Sequence, residues 1–438
     1  MSLLLCVNVC LSACGTFSES FAKVDRLMVV GDVAGALRAH EQLSYPPRDV
    51  ALRDLNQAML MRVNGDLRGA NQTLEAAKST LQDLSRLSVA EQAGSLLSND
   101  EFRAYDGLIH ERIYLHIIKA MNYLQLDDRF AARVEVLQMD VLMRELAEGE
   151  EKAVARVAPF ARYFSGLVYD ALGESSDAMI AFRQAYLAYR ERNGTTGIPE
   201  GLKRDLLRLT RVLGLTDELD RYRQEFELPD PTENGSDTAA IVVFVLDGLA
   251  PGLREESVLW QDLVSSQGRM LRISMPSVVT RFNPSGVPQL RVGETGARKP
   301  GELGDDIDRL VRDDLEDRKP AMAARAVARQ VLKQSAATAV THAAKRKADS
   351  GGEQLAAGLL SIGAQFAAVL TERADTRSWS TLPGRIWVVR QPLAEGRHNI
   401  QIEMGFRRHA WEEVSVSAGE KKILVWQPVG PSGALGAR

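Results

Sequence analysis

The hexapeptide Gly31-Asp32-Val33-Ala34-Gly35-Ala36 returns 34 residues later as Gly65-Asp66-Leu67-Arg68-Gly69-Ala70, with looser echoes at Asp127–Ala132 and Gly173–Ala178. A short unit that recurs along a chain cannot bury its apolar face alone and has to stack on its neighbours. The first half of this chain is thereby constrained to an array. Its units are helical. Phe160, Tyr163, Phe164, Leu167, Val168, Ala171 and Leu172 fall at i, i+3, i+4, i+7, i+8, i+11 and i+12, on one helix face. Gly173 is placed to end that helix. Ala178, Ala181, Phe182, Ala185, Tyr186 and Tyr189 repeat the spacing in the next helix, with alanines where two backbones must approach.

The 34-residue period and the pattern Gly166-x-x-Tyr169, then Ala178-x-x-x-Phe182-x-x-Ala185, resemble the tetratricopeptide repeat. The resemblance implies pairs of helices stacked into an array that offers a groove to partner proteins. The echoes begin at residues 31, 65, 127 and 173, spacings of 34, 62 and 46, so insertions interrupt the array, one of them around Ser88–Tyr105. Leu202, Leu206, Leu209 and Leu213 form a further amphipathic stripe suited to capping the stack. Tyr45-Pro46-Pro47 marks a turn between units.

Leu228-Pro229-Asp230-Pro231-Thr232-Glu233-Asn234-Gly235-Ser236 breaks the helical pattern and predicts a domain boundary. The run Ile241-Val242-Val243-Phe244-Val245-Leu246 that follows is suited to a strand buried on both faces. Weaker strands are expected at Leu271–Met275 and Gln289–Val292. Alternating strands at Ile386–Arg390, Asn399–Met404, Glu413–Val416 and Ile423–Gln427, separated by Gly396, Gly405 and Gly419, predict an antiparallel meander. In Asp375-Thr376-Arg377-Ser378-Trp379, Trp379 is expected to anchor the meander against the preceding helix, braced by Arg377 or Asp375.

Two helices are expected at about Pro320–Ala348 and Gly352–Ala374. The first follows an acidic stretch, Asp305 to Asp317, and has a basic polar face. The second is rich in Gly and Ala, which suits close packing internally or in a homo- or hetero-oligomer through 352–370. The sixteen residues Leu355–Leu370 fall short of the roughly twenty that span a bilayer. The fold class is therefore α+β: a tetratricopeptide-like helical array followed by a small antiparallel β-sandwich with an inserted long helical pair. The expected organisation is a signal peptide at 1–13, the repeat domain at 14–228, a linker at 229–238, a β module at 239–430 with inserted helices at about 302–374, and a tail at 431–438.

All three cysteines, Cys6, Cys10 and Cys14, lie in the first fourteen residues, so the body carries no disulfide and no cysteine metal site. Leu3–Val9 reads as the apolar core of a secretory signal. Leu11-Ser12-Ala13-Cys14 resembles a bacterial lipobox, which implies lipidation of Cys14. Gly15, in place of the Asp that favours inner-membrane retention, points to the outer membrane, facing the periplasm.

Catalytic constellations are sparse. Asp247-Gly248 after the buried strand superficially resembles the opening metal-ligand strand of alkaline-phosphatase-like hydrolases, but only His342, His398 and His409 follow, and the downstream Asp-His ligand set is missing. A turn aspartate is the expected identity. His110-Glu111 with His116 has the wrong spacing for two zinc ligands one turn apart. No nucleophile elbow and no phosphate-binding loop is present, so neither catalytic residues nor a metal or cofactor is expected. With 54 basic against 58 acidic residues, nothing favours nucleic acid.

Lipobox, repeat helices, "VVFVLDGLAP", the helical pair and "DTRSWSTLPGRI", in this order, resemble a family of uncharacterised Gram-negative lipoproteins. The resemblance spans nearly the whole chain. It implies no activity, and gene neighbourhoods with penicillin-binding-protein activator lipoproteins point towards envelope biogenesis. The expectation is a non-enzymatic, lipid-anchored scaffold that binds envelope proteins through the helical groove and the β module. The alternatives are a structural component of a multi-subunit, membrane-inserting envelope assembly and a metal-dependent hydrolase built on Asp247.

Overall fold

The computed structural model describes residues 16–86, 103–228, 239–261, 270–281, 286–293, 296–347 and 373–430. Cys14, the 229–238 linker, the 352–370 stripe, the 431–438 tail and most of the expected 88–105 insertion lie outside them.

Nine helices make up the described part of the first half: α1 (Phe17–Val30), α2 (Val33–Glu41), α3 (Val50–Val63), α4 (Leu67–Arg86), α5 (Ile109–Gln125), α6 (Arg129–Ala171), α7 (Ser175–Asn193), α8 (Glu200–Val212) and α9 (Thr216–Phe226). Helix α6 leaves helical geometry at Glu150 (φ −130°, ψ 42°), so its halves belong to different pairs. The result is five consecutive pairs: α1 with α2, α3 with α4, α5 with the first half of α6, the second half of α6 with α7, and α8 with α9.

The recurring hexapeptide is the turn inside each pair. At the first turn Gly31 N–H donates to Met28 O (3.1 Å) and Asp32 N–H to Leu27 O (2.9 Å), with Gly31 at φ 85°. The same two bonds recur at Gly65/Asp66, Asp127/Asp128, Gly173/Glu174 and Gly214/Leu215, and each first residue is left-handed. This closes one helix with a Schellman-type cap and at once opens the next. Asp32 then accepts from Gly35 N (2.8 Å), Asp66 from Gly69 N (2.8 Å) and Asp128 from Ala131 N (3.0 Å), capping the second helix. The motif is thus a local stop-and-start signal, repeated because the geometry repeats.

The second half contains β1 (Ala239–Asp247), β2 (Gly252–Gln261), β3 (Met270–Val279), β4 (Gln289–Val292), β5 (Lys299–Pro300), β6 (Glu302–Asp306), helix α10 (Ile307–Lys347), β7 (Arg385–Leu393), β8 (Gly396–Met404), β9 (Arg407–Val416) and β10 (Lys421–Trp426). One four-stranded sheet has the order β10-β1-β7-β6, another β5-β4-β8-β9, and β2 with β3 forms a separate hairpin. Strand β1 is buried along its whole length, as its unbroken apolar run requires. Val242, Phe244 and Leu246 face the helices, while Ala239, Ile241, Val243 and Val245 share a core with the β4-β8-β9 sheet. Helices, mixed sheet and antiparallel sheet therefore form three layers, and the first core joins residues from both halves of the chain.

Three expectations are corrected. The C-terminal strands do not form a meander: only β8 and β9 pair as neighbours, β7 pairs with β1 and β6, and β10 runs parallel to β1. The first sheet is therefore mixed, and an all-antiparallel sandwich is excluded. The inserted helix starts at Ile307, not near Pro320, so residues 302–306 are a strand and most of the acidic stretch lies within the helix's first turns. A proline well inside a helix ordinarily ends or kinks it. Here Pro320 sits within α10. Asp247 is not a turn residue but the last residue of β1, fully buried.

Candidate functional site

The fourth unit packs as its residues suggest. Phe182 is fully buried, Ala178 and Ala185 likewise, and Tyr169 nearly so. Gly166 faces the Phe182 ring so closely that a methyl group there would overlap it. Arg133 lies over the Tyr169 ring, 5.8 Å from its centroid. Tyr169, Ala178, Phe182 and Ala185 are core, and Arg133, paired with Glu174, covers the edge of the unit.

The groove expected to take a partner is occupied by the chain's own second half, because the first helix of every pair contacts it. On α1, Ser18 N–H donates to Thr376 Oγ1 (3.3 Å) and Asp25 pairs with Arg281 (3.2 Å). On α3, Asn56 Oδ1 accepts from Thr381 N (3.2 Å), and Arg62 Nε donates to Gln427 Oε1 (3.1 Å). On α5, Tyr114 donates to Asp305 Oδ2 (2.6 Å). In the second half of α6, Phe164 meets Phe244 at 5.4 Å between ring centroids. On α8, Gly201 N–H donates to Glu302 Oε2 (2.9 Å).

Residues 373–384 thread along this seam. Arg377 Nη1 donates to Asp49 Oδ1 (2.6 Å) and to Arg103 O (2.8 Å), while its Nε and Nη2 reach Asp375 (2.9 and 2.6 Å). Burial works against the guanidinium, but Asp375 and Asp49 outweigh it and push its pKa up. Trp379 is buried, and its backbone N–H donates to Glu111 Oε1 (2.6 Å). Asp375 and Arg377 thus bond each other, and Arg377 the array, while the helix against which Trp379 is expected to pack lies outside the described residues; Trp379 docks on the helical array and not on a meander. Glu111, weighed in the sequence only as a failed zinc motif, also accepts from Leu108 N (2.9 Å) and from Tyr105. Its signal is positional: a lone Glu in the first turn of an apolar helix is a capping residue. His116 is likewise structural, with Nδ1 2.8 Å from Glu135 Oε2.

Asp247 is the most unusual ionisable group. Neither carboxylate oxygen has a well-aligned hydrogen-bond partner, although the Trp387 indole lies close enough to favour the charged form. It faces the inter-sheet core beside Trp387, where burial pushes its pKa to about 6, and Arg385 and Arg407 only partly offset this. Asp308, near Asp306, is also pushed to about 6 by burial. Among the described residues no group of three His, Cys, Asp or Glu is placed to hold a metal ion. The arrangement can exchange a proton; the residues for a metal-bound hydrolytic site are not assembled around it.

Outward surfaces are different. A groove of about 520 Å³ lies between α4, α5 and the first half of α6, with Leu81, Leu115 and Leu142 among its apolar lining and Lys78, Arg112 and Glu145 among its charged groups. Leu137 and Val141 also line it and are partly exposed, Phe130 and Val134 are exposed on the same helix, and Ile180 and Leu187 are exposed on α7. No helix among the described residues is long and apolar enough to cross a membrane.

No family model matches the chain, and no curated protein does. A solved structure titled MamA AMB-1 aligns with 14% identity and a TM-score of 0.29, over 48% of this chain and 87% of that one. A likeness this weak carries no argument about fold or function, and the lipoprotein resemblance rests on the quoted residues alone.

Proposed function

We propose that the chain is a non-enzymatic scaffold, lipid-anchored at Cys14 to the outer membrane and facing the periplasm, that binds envelope proteins in cell-envelope biogenesis. Its own β half occupies the first-helix side of the array, so partners engage the second helices. The observation that carries this reading is the set of large apolar side chains on that outward side, including Ile180 and Leu187 at 51% and 53% exposure. Clustered exposed apolar groups are costly in water and mark interaction surfaces.

Photo-crosslinking side chains at Ile180 and Leu187 of the anchored protein test it. Discrete adducts are expected there, and none from Arg397, an exposed position on β8. Equal labelling at all three positions, or none, would remove the support.

A further inference from the structure

Strand β9 ends its sheet: in the order β5-β4-β8-β9 it pairs, among the described strands, with β8 alone. Its far side carries open backbone groups. Gly293 N–H donates to Asn399 O (2.8 Å), which turns the Asn399 carbonyl towards β4. Successive residues of a strand turn their backbone groups to opposite sides, so Ile400 and Ile402 bond towards β9, where they face Trp411 and His409. Arg408, Ala410 and Glu412 therefore direct N–H and C=O off the edge, and their side chains lie on the exposed face of the strand. Such a row is a template for another strand. We infer that β9 is a self-association edge, on which β9 of a second copy adds antiparallel about Ala410 and joins the two sheets into one.

Register and charge select the occupant. A two-fold axis through Ala410 sets Ala410 against Ala410 and Arg408 against Glu412, the latter contact made twice, as an isologous interface requires. Each of these is a hydrogen-bonded pair, because each joins residues with outward backbone groups. Between them, on the inner face, Trp411 meets His409 of the other copy. An axis at Arg408 would set two arginines face to face, and one at Glu412 two glutamates, both destabilising. The intermediate axes set each charge against Ala410 and gain no ion pair. Both charges are available for the contact. Arg408 remains 81% exposed and lies 3.6 Å from Glu403, which Arg298 holds more closely at 2.8 Å. Glu412 is exposed and forms no ion pair with a described residue. The left-handed Glu413 (φ 48°), whose N–H donates to Asn399 Oδ1 (3.0 Å), bends the strand and confines the pairing to 408–412. Phe406, 99% exposed at the β8–β9 turn, is carried alongside that bulge in the other copy.

So brief a contact falls below the roughly 800 Å² per partner of a standard interface, and disulfide trapping is the suitable readout. In the full-length chain with Cys6→Ser, Cys10→Ser and Cys14→Ser, no native thiol remains. Ala410→Cys then places two thiols on the axis with about 5.5 Å between Cα atoms, within disulfide reach, and oxidation should give a dimer. Arg408→Cys should not link to itself, because those residues lie about 14 Å apart along the strands. Adding Arg408→Glu to Ala410→Cys sets carboxylates against carboxylates and should remove most of the dimer, and Glu412→Arg should do the same with cations. The two changes together restore opposite charges and should restore the dimer. All of these positions are exposed, so the circular dichroism should not change. A dimer from Ala410→Cys no more abundant than that from Arg408→Cys, indifference to both single charge changes, or no recovery in the swapped pair would each overturn the inference. The edge lies apart from the outward helices, so its failure leaves the scaffold reading as it stands.

Discussion

Arg377 donates from Nη1 to Asp49 Oδ1 at 2.6 Å, across 328 residues of chain, and both side chains are almost shielded from water. The pair ties the segment before β7 to the link between α2 and α3. It adds a polar tie to the core that the sheet and the array share.

Loss of that tie should be severe. Arg377→Ala leaves Asp49 and Asp375 without their shared cation, and removing one partner of a buried ion pair costs about 3–5 kcal/mol. Arg377→Lys should recover little, because an ammonium cannot serve Asp49, Asp375 and the Arg103 carbonyl from one planar fork. Urea denaturation followed by circular dichroism measures both. A loss under about 1 kcal/mol for Arg377→Ala would place the pair among exposed bridges in energetic terms.

The fourth repeat turns on Gly166 and Phe182. Phe182→Ala empties a fully buried aromatic site and should cost roughly 3–5 kcal/mol. Gly166→Ala adds a methyl group into the Phe182 ring, an overpacking expected to cost about 1–3 kcal/mol. In the double variant the methyl group has room, so Gly166→Ala should be nearly harmless in the Phe182→Ala background. Strict additivity in this double-mutant cycle would show that the two residues do not meet.

What the sequence made legible follows from range. The turn residues Gly31, Asp32, Gly65 and Asp66 act on their own backbones, so their recurrence marked four of the five intra-pair turns. The fifth, Gly214-Leu215, has the same backbone bonds and, like Gly173-Glu174, no side-chain cap, but an apolar Leu215 follows its glycine, so the sequence carries no echo there. The run Ile241–Leu246 revealed a doubly buried strand because both faces are apolar. Partner choice was not legible. Lys421–Trp426 alternates in the same way whether its neighbour is parallel β1 or an antiparallel hairpin mate. The occupied groove was hidden for another reason. Helix α5 buries His110, Glu111, His116, Lys119 and Asn122 along with its apolar residues. Polar letters read as a solvated face, and only the distant partners of Glu111 and Tyr114 show it to be an interior one.

Lipidation is expected at Cys14 and nowhere else. Cys14→Ser should abolish fatty-acid incorporation and release the protein from the membrane fraction, since stable anchoring requires more than one acyl chain. Cys6→Ser and Cys10→Ser should label normally, because only Cys14 follows the two small residues. Palmitate labelling of the Cys14→Ser variant at the wild-type level would end the lipoprotein reading.

Asp247 predicts an inverted pH response. Its carboxyl titrates near 3.8 when unperturbed and about 6 in the folded chain, where burial disfavours the charge. The folded state thus binds this proton more tightly than the unfolded one. Its contribution to stability is complete below about pH 4 and is lost as pH rises through about 6, a difference on the order of 3 kcal/mol. Asp247→Asn keeps the shape without the charge. It should match the wild type near pH 4 and exceed it by that order of magnitude at pH 8. Asp308 shifts in the same direction and is present in both proteins, so the difference between their curves isolates Asp247. Urea midpoints from pH 4 to pH 8 give that difference directly. If Asp247→Asn is less stable than the wild type at pH 8, the attraction of Arg385 and Arg407 exceeds the cost of burial, and the carboxylate is an ion-pair member of the inter-sheet core.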